Sequence, residues 1–190
     1  MITEVYFVRH GESSKLEGNE RTRELTAKGH TDAERVAELL SGLPVDVLLS
    51  SPYRRAVQTM EPLARRAGKE IFCHEGLRET VFAGEDRTLN DTELLSAVRR
   101  MLSDREYSLP GGESASAAQK RAVAALELLF VEYQGQNLAI GTHGLIMTLI
   151  FQYYDSRYDW DFLMKTTKPD IYRMTLSGGK PVDLTRLWDR

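Results

Sequence analysis

The sequence predicts a three-layer α/β/α sandwich built on a central, mostly parallel sheet, and three observations point to it. Strand-like runs alternate with helical stretches from residue 5 to residue 73, and again from about 119 to 153. Three of the strand-like runs pass directly into small polar clusters: Arg9-His10-Gly11, Ser50-Ser51-Pro52 and Thr142-His143-Gly144. The C-terminal part alternates around Ser177-Gly178-Gly179-Lys180, the pattern of a closing hairpin. In open α/β sheets, ligands sit beyond the carboxyl ends of the strands. The three clusters are therefore expected to converge on one crevice.

Val5-Tyr6-Phe7-Val8 is a β-branched and aromatic run, the signature of a buried strand. Thr26 is placed to cap a helix on which Ala33, Val36, Ala37 and Leu40 recur at helical spacing up to Gly42-Leu43-Pro44. Residues 45–49 make a second buried strand, and a helix from about Arg54 to Ala67 stops at Gly68. Ile71-Phe72-Cys73 is a weaker third strand. From about 75 to 118 the alternation is lost, and the segment turns charged and helical, broken by Gly111-Gly112. It is expected to form an excursion over the sheet. A long helix then carries Val123, Leu126, Phe130 and Tyr133 on one face and ends near Gly135. Leu138-Ala139-Ile140 forms the next strand and leads into an apolar helix over about 145–153, and strands at 171–176 and 182–188 close the chain. No repeat or linker divides it, so residues 1–190 are expected to be one domain.

Composition narrows the function. A net charge of −3 and a pI near 5.9 give no general attraction to nucleic acid or an anionic membrane, so any basic site is local. No run approaches the ~18 to 20 apolar residues that span a bilayer. The N-terminal run is too short and too polar for a signal peptide. Cys73, the single cysteine, excludes an internal disulfide framework and points to a reducing cytoplasm. His10, His30, His74 and His143 lack the close spacing of a metal-binding helix, and the chain has no P-loop or dinucleotide fingerprint. No metal and no cofactor are implied. His30 and His74 are expected at the surface or its boundary, and Cys73 as a small strand residue.

Some residues still carry chemical capacity. His10 lies between Arg9, which can bind phosphate oxygens, and Gly11, which lets backbone approach a ligand closely. A histidine that attacks phosphorus must be neutral with a free lone pair. A neighbouring arginine pushes its pKa in that direction, and a carbonyl bonded to the other ring nitrogen would fix the tautomer. His143 precedes an apolar helix whose N-terminal amides favour an anion. Arg54 and Arg55 fall in a first helical turn, where arginine opposes the helix dipole unless an anion is nearby. Glu79 follows the third strand, where burial would suit it to protonate a leaving alcohol. Taken singly, each of these residues also fits an ordinary surface role.

Arg9-His10-Gly11-Glu12, Leu25-Thr26-Ala27-Lys28-Gly29, Ser50-Ser51 through Arg55-Ala56 and Gln58-Thr59, Leu77-Arg78-Glu79, Gly111-Gly112-Glu113-Ser114 and Thr142-His143-Gly144 occur in that order. Together they resemble the histidine phosphatase superfamily, also called phosphoglycerate mutase-like. The resemblance implies that fold, with the excursion lying over the active site. It implies that His10 attacks phosphorus while Arg9, Arg55 and His143 hold the nonbridging oxygens and Glu79 serves as acid and then base. It gives the phosphate role to Arg55 rather than Arg54. Gly11, Ser13 and Gly144 complete the expected phosphate contacts.

The chain also departs from the family pattern. Leu16 stands where many members have asparagine, the first loop is short with Arg23-Glu24 before the leucine-threonine pair, and Thr80 to Asp86 replaces a glycine and tryptophan cluster. Hydrolysis of a small phosphate monoester, or of a phosphopeptide, is therefore expected over phosphoglycerate mutase-type transfer. A phosphate-binding module without turnover is the nonenzymatic alternative. Arg21, Arg23, Arg87, Arg99 and Arg100 are left without a role, Arg65-Arg66 looks like a solvated helix face, and neither natural substrate nor oligomeric state is specified.

Overall fold

A computed structural model describes residues 2–14, 18–84 and 87–189. Strands β1 (Ile2–Arg9), β2 (Val47–Ser50), β3 (Ile71–Cys73), β4 (Leu138–Thr142), β5 (Asp170–Ser177) and β6 (Lys180–Arg186) form one sheet in the order β3-β2-β4-β1-β5-β6. The first four are parallel, and β5 and β6 run antiparallel as the hairpin at one edge. The sheet is thus mixed α/β and mostly parallel, as the sequence predicts.

Successive residues of a strand point to opposite faces. Val5 and Phe7 join one apolar cluster with Leu49 and Ile140, while Tyr6 and Val8 join another with Leu48 and Ala139. Helices α1 (Ala27–Ser41) and α2 (Arg54–Ala67) cover the second face through Val36, Ala37, Leu40, Met60 and Leu63. Helices α4 (Ala115–Glu132) and α5 (Gly144–Tyr154) cover the first, joined by Val98 and Met101 of α3 (Asp91–Ser103). Strands covered on both faces need apolar residues at every position, which is why their runs are continuous rather than alternating.

Thr26 caps α1 by accepting the Gly29 N–H, and Gly68 ends α2 in the left-handed conformation. The excursion differs from the expectation in extent. Ser114 caps α4, which begins at Ala115, and among the described residues between β3 and α4 only a short 3-10 turn at Glu75–Leu77 and α3 are helical. A short helix α6 (Trp160–Lys165), capped by Asp159, lies in a stretch where the sequence suggests none. Its six residues are too few to display a helical apolar period. No helix among the described residues is long and apolar enough to cross a membrane.

The return through α4 inserts β4 between β2 and β1. Its register aligns Ser50 with Gly141 and Arg9 with Thr142. Two further bonds extend the ladder beyond the strands: Ser51 N–H donates to Gly141 O (2.8 Å) and His10 N–H to Thr142 O (3.0 Å). The three polar clusters thereby leave the sheet side by side.

Candidate active site

His10 is 4% exposed, so it is no loop-tip histidine. Its Nδ1 lies 2.7 Å from the Gly11 carbonyl, and a carbonyl can only accept, so Nδ1 carries the proton. Nε2 then has its lone pair in the ring plane, where Arg55 Nε–H donates to it at 3.1 Å. Burial, then Arg55, His143 and Arg9, hold the imidazole well below its ordinary pKa, opposed by the Gly11 carbonyl. The ring is therefore neutral, with a directed lone pair.

Arg55 is 1% exposed while its neighbour Arg54 faces water, paired with Glu24 and Glu61. The α2 face explains the difference, because Arg55 shares its inner side with Gln58 and Thr59. Leu25 N–H donates to Gln58 Oε1 (2.8 Å), and Gly11 N–H donates to Thr59 Oγ1 (3.0 Å), which donates in turn to Arg55 O (2.7 Å). These two polar residues tie both ends of the β1–α1 loop to α2. Burial, and after it Arg23, bring the Arg55 pKa down to about 10, so the group remains a cation.

His143 is fully buried as the N-cap residue of α5. Its ring centroid lies 5.1 Å from those of His10 and Tyr53. Nε2 meets Ser51 Oγ at 2.7 Å, whereas Nδ1 is buried without a partner among the described residues. Burial, then Arg55, Arg23 and Arg9, depress its pKa well below the usual value. Arg9 Nη1 donates to the backbone and hydroxyl oxygens of Thr166, and its Nε is buried without a partner among the described residues. Gly144 is needed for this placement, since a Cβ there would stand 2.8 Å from the Arg9 guanidinium.

Glu79 is buried against the start of α5. It accepts hydrogen bonds from Thr80 N–H (2.8 Å), Leu145 N–H (3.2 Å) and Ile146 N–H (3.0 Å). Burial raises its pKa, against these amides and Arg55, which favour the charged form. The helix terminus expected to favour phosphate is thus occupied by the carboxyl group itself, which it holds within electrostatic reach of Arg9 and Arg55. Gly11 also serves differently from expectation. Its amide is committed to Thr59, and a Cβ would meet Gly29 O at 3.0 Å, so the close approach it permits is to α1. Ser13 Oγ accepts from Arg23 Nη1 at 2.7 Å.

The structure thus brings Arg9, His10, Arg55, Glu79 and His143 together. Of the arginines without a role, Arg99 and Arg100 lie over the rings of Trp160 and Tyr107, Arg21 pairs with Glu75, and Arg87 pairs with Glu93. Arg23 alone among these is buried at the cluster. Ser51, Tyr53 and Thr166 escaped the sequence reading as single contributors. Tyr53 packs on His143 and under Arg55, whose Cζ is 5.1 Å from its ring centroid. An aromatic next to the two arginines was the available signal. Thr166 offered none.

The two depressed histidines predict a pH dependence of stability. Unfolded, each titrates near pH 6.5. Folded, each titrates well below that. The unfolded chain therefore binds more protons in this window, so stability is complete above about 6.5 and is lost as pH falls. The expected loss is about 2 kcal/mol between about pH 7.5 and 5.5, read from urea midpoints, at up to about 1.4 kcal/mol per pH unit for each histidine. An equal loss in the His10→Asn, His143→Asn double variant would contradict this cause.

The comparisons with known proteins agree with the geometry. Residues 5–182 match the histidine phosphatase superfamily (branch 1). A probable phosphoglycerate mutase, GpmB, of Salmonella choleraesuis (strain SC-B67) is 31% identical over 155 residues, covering 77% of this chain and 72% of that relative. A mycobacterial glucosyl-3-phosphoglycerate phosphatase shares the fold at a TM-score of 0.76 and 18% identity, covering 98% of this chain and 97% of its own. A mutant phosphoserine phosphatase of Entamoeba histolytica, in complex with phosphoserine, has a TM-score of 0.76 at 25% identity over 96% of this chain and 95% of its own. With a match over most of its length and the motif residues gathered at one end of the sheet, this chain belongs to the histidine phosphatase superfamily.

Proposed function

We propose that the chain is a metal-independent phosphatase that hydrolyses a small phosphate monoester through a phosphohistidine on His10, acting as one domain over 1–190 in a reducing cytoplasm. The observation that carries this reading is the fixed tautomer of His10, with Nδ1–H on the Gly11 carbonyl and the Nε2 lone pair beside Arg55. Binding alone requires neither that lone pair nor a buried carboxyl nearby.

In the first step the Nε2–P bond forms as the ester P–O bond breaks, and the leaving oxygen takes the Glu79 proton. Arg9, Arg55 and His143 neutralise charge on the nonbridging oxygens, the kind of preorganised stabilisation that contributes most to such transfers. In the second step Glu79, now ionised, takes a proton from water. The water oxygen attacks phosphorus, Nε2–P breaks, and inorganic phosphate leaves with Glu79 protonated again. Burial raises the Glu79 pKa, and an arriving phosphate dianion raises it further, so both act toward the acid form.

A mutase reading is favoured by the GpmB relative. Against it stand the short first loop and Leu16, which lacks the hydrogen bond of an asparagine and lies outside the described residues, as do Glu85 and Asp86. A mutase must exclude water and hold a second anion. The deciding measurement supplies 3-phosphoglycerate with and without its bisphosphorylated cofactor and follows inorganic phosphate and 2-phosphoglycerate separately. Phosphate release from several unrelated monoesters is expected. Isomerisation much faster than release would overturn the hydrolase reading.

A further inference from the structure

A tight turn at 19–23 stands beside the start of α2. Asn19 Oδ1 accepts from Arg21 N–H (2.9 Å) and Thr22 N–H (3.0 Å), and Asn19 O accepts from Arg23 N–H (2.9 Å). Arg54 N–H donates to Arg21 O (2.9 Å), which ties the turn to the helix that carries Arg55. The turn presents two side chains to the cluster, Glu20 and Arg23.

One oxygen, Glu20 Oε2, lies 3.1 Å from Arg23 Nη2 and 3.1 Å from Arg55 Nη2. Arg55 Nη1 also donates to the Glu20 carbonyl. Through Nε the same guanidinium reaches the lone-pair nitrogen of His10. Glu20 Oε2 is thus an anionic oxygen shared by two arginines, one guanidinium away from the nucleophile. Arg23 is 9% exposed, and its Nε is buried without a partner among the described residues.

Arg9 and Arg55 share the field of the buried Glu79, while at the turn Arg23 and Arg55 share one carboxylate oxygen, and arginine does not give up its proton in proteins. The shared carboxylate belongs to a side chain that is 57% exposed. Ion pairs with such an exposed member contribute little, because water competes for the carboxylate. A phosphate monoester carries about −1.5 to −2 at neutral pH with several acceptor oxygens, and meets two arginines better than one tethered carboxylate does.

We propose that Arg23 is a substrate-binding residue of this site, a further arginine for the phosphoryl group, and that Glu20 Oε2 stands where a phosphate oxygen binds, so that substrate enters by displacing Glu20. This rests on the reading of the cluster as a phosphate site, but on neither hydrolysis nor transfer. Glu20 acts as a tethered competitor that sets a threshold: an anion must bind the arginines well enough to release the carboxylate.

The test is calorimetric titration of the intact protein with inorganic phosphate, which needs no turnover. Glu20→Gln keeps the backbone carbonyl that Arg55 uses and removes the competing charge, so phosphate should bind roughly three- to tenfold more tightly. Arg23→Gln should weaken binding about tenfold or more, with Arg23→Lys recovering part of the loss. Opposite signs are the diagnostic result, since a pair with a merely structural role would weaken phosphate binding from either side. Unchanged or weaker binding in Glu20→Gln, or unchanged binding in both Arg23 variants, overturns the inference. If Arg55→Ala leaves phosphate binding at the wild-type level, the underlying phosphate site itself is wrong, which is a distinguishable failure.

Discussion

His10→Ala is expected to abolish turnover, by about ten-thousand-fold or more, the scale on which enzymes with covalent intermediates depend on their nucleophile. The ring belongs to neither apolar cluster, and its polar contacts are to the Gly11 carbonyl and Arg55. Its loss should therefore leave the fold in place, with a cooperative melt and unchanged far-UV circular dichroism. Rapid quenching of the wild-type protein with a radiolabelled monoester should trap an acid-labile, base-stable phosphoryl group on His10. Trapping on serine, or turnover by a folded His10→Ala variant near the wild-type rate, would end the phosphohistidine mechanism.

Arg55→Ala is expected to cost about a hundredfold or more in kcat/KM, whereas Arg54→Ala should stay within a few-fold of wild type. A charge-assisted bond to a transition-state oxygen contributes on the order of 3 to 4 kcal/mol, and every 1.4 kcal/mol is tenfold in rate. The two residues are adjacent in sequence, but Arg55 reaches His10 from a buried position while Arg54 holds Glu24 and Glu61 in water. Arg55→Lys should recover only part of the loss, because one ammonium cannot span both His10 and a phosphate oxygen as the planar guanidinium does. Equal losses at 54 and 55 would refute the assignment of the phosphate to Arg55.

The sequence by itself determined the local elements and their order. Continuous apolar runs marked β1, β2 and β4, Thr26 and Gly68 marked helix ends, and Ser177 to Lys180 marked the hairpin, because propensity, capping and turn chemistry act within a few residues. Polar clusters at strand ends also marked His10 and His143 as candidates, and the resemblance carried by the ordered motifs singled out Arg55 and Glu79. Only the tertiary structure decided how these groups serve one another. Glu79 takes the amides of Leu145 and Ile146, His143 meets Ser51, Arg9 leans on Thr166, and Glu20 covers Arg23 and Arg55. Apart from Glu20 and Arg23, these partners lie far apart in sequence. The meetings of His143 with Ser51 and of Glu79 with α5 depend on β4 entering beside β2, and that of Arg9 with Thr166 on β5 pairing with β1, and such a long-range strand order leaves no periodic trace in the residues it brings together.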